Sequence, residues 1–442
     1  MITRLRAQNF KSWKDTGDLR LGRLTGLFGT NSSGKTSILQ ILPLLKQTAE
    51  FSDRNRVLYT GTDESPVTLG TLLDIIHGHH PEAAVELSLT WTGERSLIDH
   101  PNALFNPLFR PTEISFSTSI IWKKEGPTVD FFEYGLGKLG QERVGMRRSR
   151  VAEGMYELIY QRGQEESKGF PVGAPIKCYG FPPDALPEFG DIAYLPDFQL
   201  AFENLFRKVH YLGPLRSHPL RVYEWGGERL ADAGWNGKDA VAALLAPRKE
   251  LTERVEMGVT ILDWLRKMKL AESFELKAVD DARTLYQFRV KTTSTATEVL
   301  LPDVGFGVSQ ILPVLANCAT LPDGSTLLLE QPEIHLHPFA QAALADVLID
   351  AITSRNLQII VESHSEHLLR RIQRRIAREV LKPDDTALYF CKLENGTSAI
   401  EELEVDPYGN IRNWPKDFFG DEMGELADMT VAAMERQKAG RK

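Results

Sequence analysis

A nine-residue loop near the amino terminus constrains the fold of this chain more than any other feature. The segment GTNSSGKTS, residues 29–37, fits the pattern G-x-x-x-x-G-K-[ST]. The apolar stretch LTGLFG precedes the loop, and KTSILQILPLLKQ begins within it with the apolar spacing of a buried helix. A strand, a glycine-rich turn and a helix in this order predict an α/β fold in which the loop binds phosphate.

The residue types of the loop suit this chemistry. Glycines let the backbone turn so that its N–H groups point at phosphate oxygens, helped by the amino terminus of the helix. We expect Lys35 to reach the β- and γ-phosphates and the Thr36 hydroxyl to ligate magnesium. The predicted nucleotide-binding residues here are Gly29, Asn31, Ser32, Ser33, Gly34, Lys35, Thr36 and Ser37. The alternative, a chance match of a Gly/Ser-rich loop, is disfavoured by the flanking strand and helix.

A second nucleotide-type pattern, LLLEQPEIHLHP, lies far downstream at residues 327–338. Its apolar run ends in Glu330, where we expect the nucleotide-bound magnesium to be held. The following position, where a carboxylate usually activates water, is Gln331, and glutamine can orient water but cannot accept its proton. The nearest alternative carboxylate is Glu333. The pattern therefore predicts slow hydrolysis, with Gln331 or Glu333 positioning the water.

The segments NFKSW, DVGFGVSQ, LLLEQPEIHLHP and VESHS together resemble the ABC-type ATPase heads of the SMC, RecF and OLD group. The resemblance is closest to the stand-alone AAA-family members, AAA_15 and AAA_21, of prokaryotic defence and mobile-element loci. The terminal segment LEVDPYGNIRNWPKDFFGDEMGEL resembles a C-terminal domain of unknown function that often accompanies them. The resemblance covers most of the chain and is vague at about 95–205. It implies ATP and Mg²⁺, and a head with a mixed sheet, an antiparallel β-subdomain and a helical insertion.

The same resemblance implies how two copies meet. In that family two heads sandwich two ATP molecules, each site combining one subunit's phosphate loop with the other's signature loop. Here GFGVSQ resembles that signature loop, so Gly305, Gly307 and Ser309 are expected to approach a γ-phosphate across a dimer interface. The order departs from the usual serine-glycine-glycine, which leaves open the atom that touches phosphate. His364 in VESHS matches the switch histidine; a structural hydrogen bond is its alternative role.

The two nucleotide patterns lie far apart in sequence, which predicts two half-domains joined across a long insertion. We predict an N-terminal half of the head at 1–94, an inserted β and helical region at 95–290, a C-terminal half at 291–380 and a C-terminal extension at 381–442. AVELSLTW and EISFSTSIIW alternate apolar and polar residues, as antiparallel strands do. We expect a helical stretch at about 237–270, followed by a hairpin in FELKAVDDARTLYQFRVKT.

A basic helix follows the histidine segment. EHLLRRIQRRIAREV places Leu368, Leu369, Ile372, Ile376 and Val380 on one stripe. The arginines facing largely the other way are Arg370, Arg371, Arg374, Arg375 and Arg378. They make nucleic-acid binding possible. A solvated face, or a face that binds an acidic partner, is the favoured reading, because the chain is acidic overall and the helix has no interleaved aromatic residues.

The remaining histidines argue against a metal site, and the composition is typical of a cytoplasmic protein. His335 and His337 stand two residues apart with no third ligand at a known spacing, so a structural role is favoured over a metal site, and HGHH at 77–80 reads as a polar loop. Three scattered cysteines, a polar start and the lack of a run of about 18 apolar residues predict a cytoplasmic protein without a membrane anchor. The net charge of −8 gives no overall attraction to nucleic acid.

The sequence thus favours a slow, nucleotide-gated, dimerising ATPase. We expect it to act as a switch subunit in a prokaryotic anti-phage or genome-maintenance system, with a separate effector such as a nuclease. Two alternatives stay open: an ATP-binding scaffold that does not hydrolyse, and a RecF-like DNA-binding repair ATPase.

Overall fold

The computed structural model of the chain describes residues 1–92, 113–137, 142–149, 154–162, 165–166, 169–185, 195–228, 230, 232–246, 251–415, 428–434 and 436. The strands are β1 (Ile2–Phe10), β2 (Trp13–Asp15), β3 (Leu19–Arg20), β4 (Leu24–Gly29), β5 (Val85–Thr92), β6 (Glu113–Lys123), β7 (Gly126–Leu136), β8 (Glu142–Arg148), β9 (Tyr156–Arg162), β10 (Glu165–Glu166), β11 (Phe170–Val172), β12 (Val209–Leu212), β13 (Tyr223–Glu224), β14 (Ser273–Ala278), β15 (Leu285–Lys291), β16 (Val299–Leu300), β17 (Thr326–Glu330), β18 (Gln358–Glu362), β19 (Thr386–Glu394) and β20 (Thr397–Glu402). The helices are α1 (Lys35–Glu50), α2 (Leu72–Ile75), α3 (Leu195–Arg207), α4 (Ala240–Leu245), α5 (Leu251–Lys267), α6 (Phe306–Thr320), α7 (Pro338–Arg355) and α8 (Glu366–Ala377).

A six-stranded sheet carries the nucleotide patterns. Its strand order is β12-β17-β18-β4-β19-β20, and every neighbouring pair is parallel except β19 with β20. All residues of β4, β17 and β18 are buried, which is the environment of parallel strands covered on both faces. Because β4, β17 and β18 run in the same direction, the phosphate loop and the two segments that follow the downstream strands meet at one edge of this sheet.

A second, antiparallel sheet packs beside it. Its strand order is β10-β9-β8-β7-β6-β5-β1-β2, with β11 and β3 attached to β9 and β1. Strand β5 alternates buried and half-buried residues, as its sequence predicts. The mixed α/β fold with an antiparallel β-subdomain is thus confirmed.

A third, small sheet contains the hairpin of β14 and β15, which is also confirmed. The helical stretch predicted at about 237–270 is present as two helices, α4 and α5. Within the described ranges, no helix is both long and apolar enough to cross a bilayer.

The central sheet draws strands from each of the four predicted segments. Strand β12 falls in the predicted insertion at 95–290, and β19 and β20 fall in the predicted extension at 381–442. Parallel pairing joins strands that are distant in sequence, so the segments are not separate sheets. The division into four domains stays a prediction.

The basic helix α8 holds most of its arginines against its own chain. Arg371 and Arg375 both bind Asp346 of α7, each at 2.6 Å. Arg370 pairs with Glu366 and lies over the Trp414 ring. Arg374 and Arg378 are exposed and have no ion pair among the described residues, and Val380 is exposed as well. The expectation for Val380 was wrong, because the helix ends at Ala377 and the stripe does not continue.

Replacing Asp346 by Ala is therefore expected to lower the free energy of unfolding by about 1–2 kcal/mol, between the values for exposed and buried pairs. Two guanidinium groups, 20% and 28% exposed, would lose a carboxylate that is 18% exposed. The urea midpoint measures the change. Asp323→Ala is the matched control, because Asp323 pairs with Arg355 but is 70% exposed. Equal midpoints for the two variants would contradict a stabilising role for the arginine pair.

Candidate functional site

The phosphate loop opens onto a cleft of about 370 Å³ at the carboxyl edge of the central sheet. Residues 31–37 form one wall, and Ser12, Gln331, Glu362 and His364 form the rest. The structure therefore brings the predicted loop together with the predicted Gln331 and His364. Ser12 and Glu362 were not predicted.

The loop adopts a backbone that only glycine can provide at two positions. Gly29 has a φ of +137°, and a Cβ there would lie 1.9 Å from the Cys391 carbonyl oxygen. Gly34 has a φ of +88°, and a Cβ would meet the Ser12 and Ser398 hydroxyls at 2.6 and 2.5 Å. Both substitutions would also strain the left-handed backbone. The loop is thus held tightly between the β1–β2 turn and strands β19 and β20.

Lys35 lies inside this loop. Its Nζ donates to the carbonyl oxygens of Gly29 (3.2 Å) and Thr30 (2.6 Å) and to Ser33 Oγ (3.3 Å). The residue is only 3% exposed, and burial lowers the pKa of its ammonium, against the opposing attraction of Glu362. A buried cation that hydrogen-bonds only to neutral oxygens, beside the amino terminus of α1, fits an incoming phosphate.

Thr36 and Glu362 face each other across the cleft. Thr36 Oγ1 donates to the Glu362 carboxylate, 2.8 Å from Oε2 and 3.0 Å from Oε1. Burial, reinforced by the nearby Glu330 carboxylate, raises the pKa of Glu362 to about 7, while the Thr36 hydrogen bond opposes the rise. Gln331 lies on the same side, and its backbone N–H donates to the Glu362 carbonyl oxygen (2.9 Å).

Glu330, the predicted metal ligand, is buried next to Glu362 and has a different hydrogen-bond partner. Tyr211 OH of β12 donates to its Oε2 at 2.6 Å. Burial raises the pKa of Glu330, and the Tyr211 hydrogen bond and the Lys11 charge act in the opposite direction. Glu330 is not part of the cleft wall. Thr36 thus hydrogen-bonds Glu362, whereas Glu330 hydrogen-bonds Tyr211.

Two protein-family models match the chain. Residues 273–370 match the family described as "AAA domain, putative AbiEii toxin, Type IV TA system". These residues are thus similar to an AAA domain. This AAA domain contains β17 and β18, the signature segment and His364, so the predicted resemblance to ABC-type AAA ATPases is confirmed. Residues 381–429 match a "Protein of unknown function (DUF3696)", which confirms the resemblance of the terminal segment.

Solved structures of SMC head domains also resemble the chain. One is an SMC head bound to the C-terminal winged-helix domain of ScpA (12% identity, TM-score 0.45, covering 92% of this chain and 98% of that one). Another is the SMC head domain of Thermotoga maritima (13% identity, TM-score 0.40, covering 91% of this chain and 99% of that one). A third is the Pyrococcus furiosus Smc head with an extended coiled coil, bound to the C-terminal domain of ScpA (11% identity, TM-score 0.40, covering 91% of this chain and 96% of that one). None of the curated proteins compared with the chain matches it.

Glu333 of the AAA domain, predicted as a possible base, is held by the turn after β18. Its Oε1 accepts hydrogen bonds from Ser363 Oγ (2.8 Å) and the His364 N–H (2.7 Å). The residue is 6% exposed, and burial raises the pKa of its carboxyl. Glu333 does not line the cleft, whereas Gln331 does. The chain turns sharply between them, since Gln331 has a φ of +44°.

His364 lies at the edge of the cleft. Its backbone is fixed by Glu333, and its side chain is exposed on the cleft side. Partial burial lowers the pKa of the imidazole, and the Lys35 charge lowers it further. The neutral ring is therefore the favoured form at neutral pH.

The signature segment of the AAA domain lies on a different surface. Gly305 precedes α6, which begins at Phe306 rather than at the expected Ser309. Ser309 Oγ donates to the Phe306 carbonyl oxygen (2.9 Å), so this hydroxyl faces its own helix. Gly305, Gly307 and Ser309 are absent from the wall of the described cleft.

The predicted structural histidines have defined contacts. The His335 ring packs edge-on against the exposed Phe306 ring, with 5.0 Å between centroids. His337 caps α7 and accepts a hydrogen bond from the Phe339 N–H (3.3 Å). His77 in the HGHH segment hydrogen-bonds the Lys11 carbonyl oxygen (2.8 Å).

The sequence contains a pattern that could have identified Glu362 as a site residue. LQIIVE ends in a glutamate after an apolar run, as LLLE does. Two such strands in one parallel sheet place two carboxylates at the same edge, and the structure pairs them in register.

Proposed function

We propose that this chain binds Mg·ATP in the cleft, hydrolyses it slowly, and uses the bound nucleotide to control the association of two copies. The observation that carries the proposal is the cleft itself, in which the phosphate loop meets Gln331, Glu362 and His364 at the carboxyl edge of a parallel sheet. Nucleotides bind at this edge in open α/β sheets.

The loop supplies the phosphate contacts. The first N–H groups of α1 have no partner within the helix, and residues 35–37 line the cleft. Lys35 would exchange its loop carbonyl acceptors for phosphate oxygens, whose charge makes a stronger hydrogen bond. Magnesium bound with ATP neutralises phosphate charge. These contacts support nucleotide binding independently of any hydrolysis.

Hydrolysis is proposed to be slow because of Gln331. Its side chain lines the cleft, where an amide can orient water, but it cannot take the proton. Glu333 is engaged by Ser363 and His364 outside the cleft wall. The glutamine at position 331 also favours one alternative function, an ATP-binding scaffold that does not hydrolyse ATP. Single-turnover hydrolysis of radiolabelled ATP by the purified chain separates the two.

Association of two copies is proposed from the position of the signature segment. Gly305 and Phe306 are exposed, and a Cβ on Gly305 would meet open space. The amino terminus of α6 therefore presents free N–H groups to the exterior. A γ-phosphate held in the cleft of a second copy would suit these groups.

Gly307→Arg is expected to abolish ATP-dependent self-association and to slow hydrolysis about tenfold, a loss of about 1.4 kcal/mol of transition-state stabilisation. A Cβ at Gly307 makes ordinary contacts of 3.5 Å or more, so the fold should tolerate the variant. Light scattering with and without ATP measures the association. Gly258→Arg on α5 is the control, because a Cβ there meets nothing within 4 Å. Unchanged association and rate for Gly307→Arg would exclude the shared site.

The proposed biological role is a switch subunit that controls a separate effector in a prokaryotic anti-phage or genome-maintenance system. It rests on the resemblance in sequence and on the matched family, whose own description names a toxin of a toxin–antitoxin system. A protein encoded beside this gene should co-purify with the chain in ATP and not with a variant that cannot bind ATP. ATPase rates with and without DNA test the RecF-like alternative, for which the exposed Arg374 and Arg378 are the candidate contacts.

A further inference from the structure

We infer that Glu362, and not Glu330, is the carboxylate that holds the magnesium of bound ATP together with the Thr36 hydroxyl. This inference rests on the proposed nucleotide binding and names the residue that completes that site. The pattern LLLE points to Glu330, so the inference changes the strand that supplies the metal ligand.

Strand order is the first reason. Glu330 and Glu362 end neighbouring strands and lie opposite each other in register. Strand β18 lies between β17 and β4. Because neighbouring strands are about 4.8 Å apart, the carboxylate on β18 starts about one strand spacing nearer to the phosphate loop. Only Glu362 of the two lines the cleft.

The distance to Thr36 is the second reason. Ligands of Mg²⁺ lie at about 2.0–2.1 Å in octahedral geometry, so two adjacent ligands are about 2.9 Å apart. Thr36 Oγ1 lies 2.8 and 3.0 Å from the two Glu362 oxygens. These two residues are thus already spaced as adjacent ligands, and a metal would replace the hydrogen bond between them.

The partners of the two carboxylates are the third reason. Glu330 already accepts a short hydrogen bond from Tyr211 and is stabilised by the Lys11 charge. Glu362 accepts hydrogen bonds from two neutral groups, the Thr36 hydroxyl and the Gln331 side-chain amide. The positive charge of Lys35 acts on Glu362, but the Lys35 ammonium donates its hydrogen bonds to loop carbonyl oxygens. A divalent cation would therefore satisfy Glu362, whereas it would disrupt the existing contacts of Glu330.

The test compares matched isosteric variants of the full-length chain. The affinity for the non-hydrolysable analogue AMPPNP is measured by calorimetry in MgCl₂ and in EDTA. Wild type and Glu330→Gln are expected to keep the gain in affinity that Mg²⁺ provides. Glu362→Gln is expected to lose about tenfold or more of that gain, since even indirect partners of a metal contribute 10–100-fold. Its affinity in EDTA should equal that of wild type, which also shows that the loop is intact.

Electron paramagnetic resonance of Mn²⁺ with AMPPNP provides a readout other than affinity. Glu362→Gln should change the Mn²⁺ spectrum, and Glu330→Gln should leave it unaltered. If Glu362→Gln does not fold, Glu362→Asp and Glu330→Asp replace the pair, because each retracts a carboxylate by one methylene and keeps the charge. If the Glu362 variant keeps the full gain in AMPPNP affinity that Mg²⁺ provides, or if the Glu330 variant loses it, this inference is wrong but the proposed nucleotide binding still stands. Failure of wild type to bind AMPPNP overturns the proposed function instead.

Discussion

Replacing Lys35 by Ala is expected to lower the affinity for ATP by roughly 30-fold to several thousand-fold. Removing one partner of a buried charge pair costs about 2–5 kcal/mol, and each 1.4 kcal/mol corresponds to about tenfold in affinity. Lys35 is the cation enclosed by the loop and is 3% exposed, so water cannot replace it efficiently at the phosphate. Calorimetry with Mg·ATP measures the change.

Lys46→Ala is the matched control for this variant. Lys46 lies on the same helix α1, but its ammonium contacts the Val209 carbonyl oxygen and Glu50, away from the cleft wall. The control should bind ATP as wild type does. Equal affinities for wild type and Lys35→Ala, with both folded by circular dichroism, would refute the assignment of the phosphate loop.

The local part of the fold followed from the sequence because it depends on neighbouring residues. Strand β4, the loop and α1 are contiguous, and the hairpin of β14 and β15 is closed by a short turn. The position of β12 and β19 in the central sheet did not follow. These strands pair in parallel with partners far away in sequence, and nothing in a short strand encodes which partner it takes.

The same limit explains the site. The sequence shows that LLLE and LQIIVE both end in a glutamate, but not which strand lies next to the phosphate loop. Strand order decides this, and β18 is the neighbour of β4. Side-chain contacts added the rest: Tyr211 comes from β12 and binds Glu330, a contact between residues 119 positions apart.

The arginines of α8 show a further limit of pattern reading. Their spacing correctly predicted one polar face, but the charge count did not reveal that Asp346 on α7 binds two of them. The charges on a helix face can be paired by acidic side chains of a neighbouring helix, and are then not available to a partner. Two of the five arginines are left exposed and without an ion pair among the described residues, which favours the solvated reading.

Replacing Gln331 by Glu is expected to raise the rate of ATP hydrolysis by about 100-fold, the usual contribution of a positioned general base. Gln331 lines the cleft beside Glu362 and His364, so a carboxylate there would face the site of the phosphates. Burial and the neighbouring Glu362 would raise the pKa of the new carboxyl, since like charges disfavour ionisation. A base with a pKa close to neutral is the most effective at neutral pH.

Single-turnover hydrolysis under saturating Mg·ATP measures this rate separately from binding. Gln287→Glu on β15 is the matched control, because Gln287 already accepts hydrogen bonds from Arg289 and lies outside the cleft wall. A Gln331→Glu rate at or below that of wild type, with ATP affinity unchanged, would show that the amide itself orients the water. If Glu333→Gln then slowed turnover by a similar factor of about 100, the base would be Glu333. Its contacts with Ser363 and His364 would then have to open during the reaction.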